Sequence, residues 1–252
     1  MELSFNEREA IRWMRENWRK SFLFAVAYVI LIFGGQYLMK EKRGYKLRMP
    51  LALWSLGLAL FSAIGTYHTW KHMVSILTTM GFKQSVCNQI FYVDPICRLW
   101  VYLFTLSKVL ELGDTVFIVL RKQKLIFLHW YHHMLTLIYS WYCYKEMLSG
   151  GSWFITINLT IHTAMYSYYT VRAAGFRLPR WIAMAITLSQ ILQMAVCIIL
   201  CILLIFWRED EVCLFTWPGV SFSFLMYLSY LVLFCNFFSK SYLMSTQKLK
   251  GE

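Results

Sequence analysis

Apolar residues occur along this chain in long blocks separated by short polar connections. Runs of membrane-crossing length can be drawn at 22–39, 51–70, 96–120, 125–144, 152–171, 181–206 and 212–238. Each approaches the roughly 20 residues that an α-helix needs to cross a hydrocarbon core. The pattern predicts an all-α, polytopic membrane protein with seven transmembrane helices. The third run is the least apolar, because Lys108, Glu111 and Asp114 interrupt it. The connections are too short to house separate chemistry, so any active site has to lie within the bundle. Ahead of the first run, Asn6 and Glu9 resemble a capping box, and Ile11, Met14 and Trp18 recur at helical spacing. The expected layout is one domain over 1–252: an interfacial helix at 1–21, spans over 22–238 and a tail at 239–252.

Polar residues inside the spans change the picture. His129, His132 and His133 stand at i, i+3 and i+4 of the fourth run and share an arc of about 100°. A single histidine there would serve as a link between helices. Three on one face point to a bundle interior or a wet cavity and to a functional site. The third run places Lys108, Glu111 and Asp114 within an arc of about 120°, followed by Thr115. The fifth places Asn158, His162, Tyr166 and Tyr169 within about 80° of one another, and the sixth repeats Thr187, Gln190 and Gln193. Counted from the span ends near Arg121 and its counterparts, His133, His162, Gln190 and Asp114 lie ~9–15 Å deep. Four helices thus bring polar faces to one layer. Plainer roles stay open: a structural Lys108–Glu111 pair, glutamines bonding helix to helix, and a tyrosine belt at the interface. His68 and His72 lie toward the opposite end and read as structural.

Composition narrows the class. A chain 59% hydrophobic and 18% aromatic exceeds what a soluble core requires. The basic residues sort by side. Lys40, Lys42, Arg43, Lys46, Arg48, Arg121, Lys122, Lys124, Arg172, Arg177, Arg180, Lys240, Lys248 and Lys250 fall on one face of the bundle. Lys71, Lys83, Arg98, Lys145, Arg208 and the amino-terminal cations fall on the other. The richer side is expected to be cytosolic, with the carboxy terminus there and the amino terminus lumenal. Their place in loops between spans gives no reason to expect a nucleic-acid partner. Cys143, Cys197, Cys201 and Cys235 lie within spans. Cys87 and Cys213 fall in non-cytosolic connections, where an oxidising lumen would join them and staple the third and seventh spans.

Four blocks then carry a resemblance: Lys108-x-x-Glu111-x-x-Asp114-Thr115, His129-x-x-His132-His133, His162-x-x-Met165-Tyr166-x-Tyr168-Tyr169 and Thr187-x-x-Gln190-x-x-Gln193. In this order, and over nearly the whole chain, they resemble the very-long-chain fatty-acid elongases, membrane 3-ketoacyl-CoA synthases of the endoplasmic reticulum. Stretches 5–35 and 120–141 look most like the vertebrate type-6 branch, which extends palmitate-length chains; the type-3 branch is next. The resemblance implies six spans arranged as an inverted barrel around a narrow acyl tunnel, with the seventh outside that ring. It implies condensation of a long-chain acyl-CoA with malonyl-CoA to 3-ketoacyl-CoA, carbon dioxide and CoA.

By the same resemblance His132 is the nucleophile that forms an acyl-imidazole. His129, His133 and His162 would orient it, move protons and stabilise the enolate. Asn158, Gln190 and Gln193 would hold a tautomer or an oxyanion. Lys108, Glu111 and Asp114 would set the electrostatics, with Tyr166 and Tyr169 completing the site. Arg121, Lys122, Lys124, Arg172, Arg177 and Arg180 are candidate partners for the CoA phosphates, unless they serve only topology and anionic lipid. No cofactor and no metal are expected. Expected partners are acyl-CoA, malonyl-CoA, membrane lipid and the ketoacyl-CoA reductase, dehydratase and enoyl reductase of the elongation cycle, with a homo-oligomer as a further possibility. Lys248 and Lys250 resemble a dilysine retrieval signal for the endoplasmic reticulum membrane. A di-iron desaturase is the rival enzyme, but its metal centre needs about eight histidine-type ligands, and six histidines, two on the far side, are too few. A receptor or transporter explains the spans but not four imidazoles in one layer.

Overall fold

The computed structural model describes residues 7–87, 94–213 and 215–244. Among these residues every regular element is a helix. They are α1 (Glu7–Asn17), α2 (Lys20–Leu38), α3 (Arg48–Cys87), α4 (Pro95–Leu110), α5 (Gly113–Leu120), α6 (Phe127–Glu146), α7 (Gly151–Ala174), α8 (Arg180–Phe206) and α9 (Trp217–Phe238), with a π-turn at Ser239–Leu243. Helices α2, α3, α8 and the stretch Trp217–Leu243 are long and apolar enough to cross a membrane. The runs expected at 96–120, 125–144 and 152–171 form α4 with α5, α6 and α7. Asn6 of the expected capping box and the tail lysines Lys248 and Lys250 lie outside the described residues.

Local chemistry accounts for the helix ends. Asp94 caps α4: its Oδ1 accepts from the backbone N–H groups of Ile96 and Cys97, and Pro95 follows at the first helical position. Helix α7 stops at Gly175, whose φ of +106° suits a residue without Cβ, while Phe176 N–H returns to the Val171 carbonyl. Thr216 caps α9 by accepting from Gly219 N–H. The third run is broken between Leu110 and Gly113, so α4 and α5 are separate helices.

The largest helix pair is α3 against α7. Its α3 face is a ladder of small residues, Ala52, Ser55, Ala59, Ser62, Gly65 and Thr69, all buried or nearly so. Small side chains let two backbones approach closely where lipid supplies no hydrophobic drive. At Gly65 a Cβ would come within 3.0 Å of the Trp100 ring and 3.1 Å of Leu159. Met14 of α1 is fully buried and joins the Val101, Leu137 and Trp141 cluster, so α1 is anchored in the bundle. Many outward residues of α2 and α8 are large and apolar, among them Leu31, Leu38, Leu192 and Phe206, a surface suited to lipid.

The predicted second span stops well short of the helix observed. Helix α3 continues to Cys87, interrupted at Gly81 (φ +83°, ψ 175°), so Cys87 ends a helix and does not sit in a free loop. Cys87 is disulfide-bonded to Cys213, which joins the end of α3 to the α8–α9 connection. Lys83 pairs with Asp210 beside it, and that ammonium, with the Val212 N–H, holds the Asp210 carboxyl below the usual carboxylate range. Ser149 Oγ donates to the Cys87 carbonyl, Gly150 N–H to Val86 and Ser152 Oγ to Ser85. The end of α3 therefore closes over the start of α7. Replacing Cys87 and Cys213 together by serine should lower the thermal unfolding midpoint in detergent, by an amount equivalent to about 2–5 kcal/mol. Unfolding with and without reductant measures it, and the double variant should no longer respond to reductant.

Candidate active site

The site is assembled around charges that the bundle has to neutralise. Lys108, 2% exposed at the end of α4, donates through Nζ to Glu111 Oε1 at 2.7 Å and to Asn158 Oδ1 at 3.2 Å. Ser107 Oγ adds a bond to the same carboxylate oxygen at 3.0 Å. With its oxygen engaged by Lys108, the Asn158 amide presents Nδ2 to His162 Nε2 at 3.3 Å. An amide nitrogen only donates, so His162 Nε2 accepts and its proton resides on Nδ1. That nitrogen faces Glu111 Oε2 at 3.9 Å. Four side chains from α4, α7 and the break after α4 thus close a ring that fixes one imidazole tautomer.

A second carboxylate organises the other histidines. Asp114 accepts from Trp54 Nε1 and from Tyr166 Oη, both at 2.7 Å, and its Oδ2 lies 4.0 Å from His133 Nε2. Asp114 stands one turn beyond Glu111 and reaches Trp54 of α3 and Tyr166 of α7, while Glu111 keeps to Lys108. Thr115 Oγ1 is 2.9 Å from His129 Nε2 and 2.7 Å from the Tyr28 hydroxyl of α2. The His129 and His133 rings are 4.4 Å apart. The His132 ring turns instead toward α9, 4.9 Å from Tyr230 and 6.4 Å from Phe234. Tyr230 Oη donates to the His132 carbonyl and also meets Thr136 Oγ1.

Two cavities meet at these residues. The larger, about 310 Å³, is lined by Asp114, His129, His132, His133, Asn158, His162, Tyr166, Tyr169, Gln190 and Gln193, and it reaches Thr187 and Tyr242. The other is walled by Val101, Phe104, Tyr139, Tyr144, Gly151, Phe154, Ile155 and Tyr227. His132, Asn158, Gln193 and Met194 belong to both. The polar layer read from the sequence is therefore one chamber, and His132 stands where it passes into an apolar pocket. Helices α4 to α9 together wall the two cavities, α4 only the smaller and α5 only the larger, so the last apolar helix lines the interior, while α2 and α3 contribute none of the lining residues.

Other expected site residues lie elsewhere. Lys108 and Glu111 line neither cavity and reach the site through Asn158 and His162. Gln190 Nε2 contacts Met165 Sδ at 3.3 Å. None of the six flanking cations lines the chamber. Lys122 Nζ donates to the carbonyls of Lys40 and Lys42, holding the α2–α3 connection. Arg180 donates to the Ser241 carbonyl and stacks on Tyr242 at the chamber's rim. Arg121 is half-buried at the end of α5, and Lys124, Arg172 and Arg177 are exposed at the same end of the bundle. Trp54, Tyr28 and Tyr230 were not legible as site residues. A lone Trp or Tyr in a span carries no pattern, although Tyr227, Tyr230 and Phe234 do recur at helical spacing.

The chain matches the family described as ELO: GNS1/SUR4 over residues 13–250. It is 55% identical to "Very long chain fatty acid elongase 6" of Gallus gallus over 249 residues, covering 99% of this chain and 94% of that protein. The Homo sapiens protein of the same name is 55% identical over 247 residues, covering 98% and 93%. "Very long chain fatty acid elongase 3" of Mus musculus is 44% identical over 240 residues, covering 95% and 89%.

Gly113 gives a direct test of the Trp54–Asp114 contact. A Cβ there would come within 2.6 Å of the Trp54 ring, whereas at Gly34 nothing lies within 4 Å. Gly113→Ala should lower the unfolding midpoint by an amount equivalent to about 1–3 kcal/mol and alter tryptophan fluorescence. Gly34→Ala should leave the midpoint unchanged or raise it.

Proposed function

The chain belongs to the ELO family of fatty-acid elongases, and from that membership and the junction at His132 we propose that it condenses a long-chain acyl-CoA with malonyl-CoA. Elongation of fatty acids follows from the family; the chemistry below is our reading. The observation that carries it is the meeting of an imidazole-lined chamber with an apolar pocket at one ring, His132.

A neutral His132 nitrogen attacks the thioester carbonyl, forming an N–acyl bond as the C–S bond breaks, and CoA leaves as thiolate to take up a proton. Malonyl-CoA then loses carbon dioxide, and its two-electron enolate carbon attacks the acyl carbon. A C–C bond forms as the N–acyl bond breaks, the departing imidazole takes up a proton in place of the one given to CoA, and a 3-ketoacyl-CoA two carbons longer results. The Lys108–Asn158–His162 ring aims a set of fixed dipoles at the chamber, where an oxyanion or enolate develops. Asp114, held by Trp54 and Tyr166, orients His133, and Thr115 orients His129. These assignments keep the proton-bearing groups in place before the reaction begins. The cationic CoA head-group partners would be Lys124, Arg172, Arg177 and Arg180, which lie at the chamber's end of the bundle.

Seven spans, with α4–α5, α6 and α7 crossing beside the four most apolar helices, suit this reading. So do an endoplasmic reticulum membrane, a lumenal amino terminus and a cytosolic carboxy terminus, because CoA phosphates stay in water while the tail enters hydrocarbon. The 3-keto product then requires a ketoacyl-CoA reductase, a dehydratase and an enoyl reductase.

The decisive measurement uses microsomes from expressing cells, radiolabelled malonyl-CoA and a panel of acyl-CoA lengths. His132→Ala should abolish condensation while the protein stays folded in the membrane. Wild type given acyl-CoA alone should release CoA and gain an acyl mass increment on a His132 peptide; retention of activity without His132 would assign the nucleophile to another group.

The far end of the apolar pocket is where chain length would be read: its lining runs along α6 from His132 to Tyr144, a rise of about 18 Å. Gly151→Leu should shift preference toward shorter acyl-CoA and Tyr144→Ala toward longer, read as the ratio of kcat/KM across the panel.

A further inference from the structure

At the end of α4 remote from the histidine chamber, three metal-ligating side chains converge. His72 comes from α3, and Asp94 and Cys97 come from the first turn of α4. One donor atom from each lies within 4.8 Å of the others. We propose that His72, Asp94 and Cys97 form a zinc-class site that clamps α3 to α4, independent of the condensation chemistry.

The donor set is the first argument. Imidazole nitrogen, carboxylate oxygen and thiolate sulfur are the three ligand types that zinc takes from proteins. Thiolate with imidazole favours zinc or its cobalt surrogate over magnesium or calcium, which prefer oxygen. One thiolate and one carboxylate balance the charge of a dication.

Geometry is the second. Asp94 is held in place before any ion arrives: its Oδ1 accepts from Ile96 N–H at 3.0 Å and from Cys97 N–H at 2.8 Å. Its other oxygen, Oδ2, faces His72 Nδ1 at 3.8 Å. That gap is too long for a hydrogen bond. It is close to the roughly 3.3–3.6 Å between neighbouring donors around a tetrahedral ion with 2.0–2.3 Å bonds. Side-chain adjustment of about 1 Å brings a 4.8 Å separation to that range. The Cys97 sulfur is buried and lies 3.9 Å from the His68 carbonyl oxygen, so its proton has an alternative acceptor until a metal displaces it to water. The His68 ring is stacked on Trp100 and turned to another use. Three protein ligands leave a fourth position for water.

The third argument is separation from the chemistry already assigned. Cys97 and Lys108 are about 16 Å apart along α4, and none of the three ligands lines either cavity. An ion here would bridge α3, ahead of its Gly81 interruption, to the start of α4.

The test uses the full chain, purified in detergent without a polyhistidine tag. After dialysis with micromolar Zn²⁺, elemental analysis should give one zinc per chain. Replacement by Co²⁺ should give a thiolate charge-transfer band in the near ultraviolet and tetrahedral d–d bands in the visible. Cys97→Ser and His72→Ala should each lose the charge-transfer band and at least tenfold in Co²⁺ affinity while retaining elongation of acyl-CoA with malonyl-CoA, which shows that they fold. Zn²⁺ should raise the unfolding midpoint of wild type and not of the double variant. The proposal is overturned if wild type shows no cobalt–thiolate band, or if the double variant binds Zn²⁺ with wild-type stoichiometry and affinity.

Discussion

An ammonium group in an apolar bundle has to find a counter-charge, and the answer that Lys108 finds governs the rest of the site. Its bond to Glu111 neutralises both charges across less than a helical turn. Stripping either partner would leave a buried charge uncompensated, a loss of about 3–5 kcal/mol in comparable settings. Because Lys108 also donates to Asn158 and Glu111 also faces His162, the pair does more than neutralise itself. It decides which way an amide points and which nitrogen of an imidazole carries hydrogen. Electrostatic necessity in one helix thus becomes proton placement in another.

The interruption of the third apolar run belongs to the same logic. At the junction the backbone stays right-handed helical through Glu111 and Leu112 and tightens to i→i−3 bonds, so Lys108, Glu111 and Asp114 keep to one side. One turn apart along that side, Glu111 takes Lys108 and Ser107 while Asp114 takes Trp54 and Tyr166. Each carboxylate faces a different histidine: His162 for Glu111 and His133 for Asp114. Gly113 sits at this junction because the Trp54 ring leaves no room for a side chain.

Much of this organisation was legible in the sequence. Histidines at i, i+3 and i+4, with amides and carboxylates at matching depth on three other apolar runs, sufficed to gather His129, His132, His133, Asn158, His162 and Gln193 into one chamber. Periodicity reports faces and depth; it does not report partners. Trp54, Tyr28 and Tyr230 were therefore invisible, since each acts through a contact distant in sequence. The helix break was legible only as weak hydropathy. The overrun of α3 to Cys87 was missed because residues 71–80 mix polar and apolar positions, and the fold there follows from packing against the start of α7. The basic loops were read by charge alone, and charge alone could not distinguish Lys122, which holds backbone carbonyls, from its neighbours.

Helix α2 presents most of its surface outward, with Ile30 and Leu31 about two-thirds or more exposed, and it lines no part of the interior. Yet one hydroxyl, on Tyr28, is a single threonine removed from the imidazole of His129. A helix whose surface is mostly turned outward is thus hydrogen-bonded, through one threonine, to an imidazole of the chamber, and Tyr28→Phe would cut that link without altering the outer face of α2.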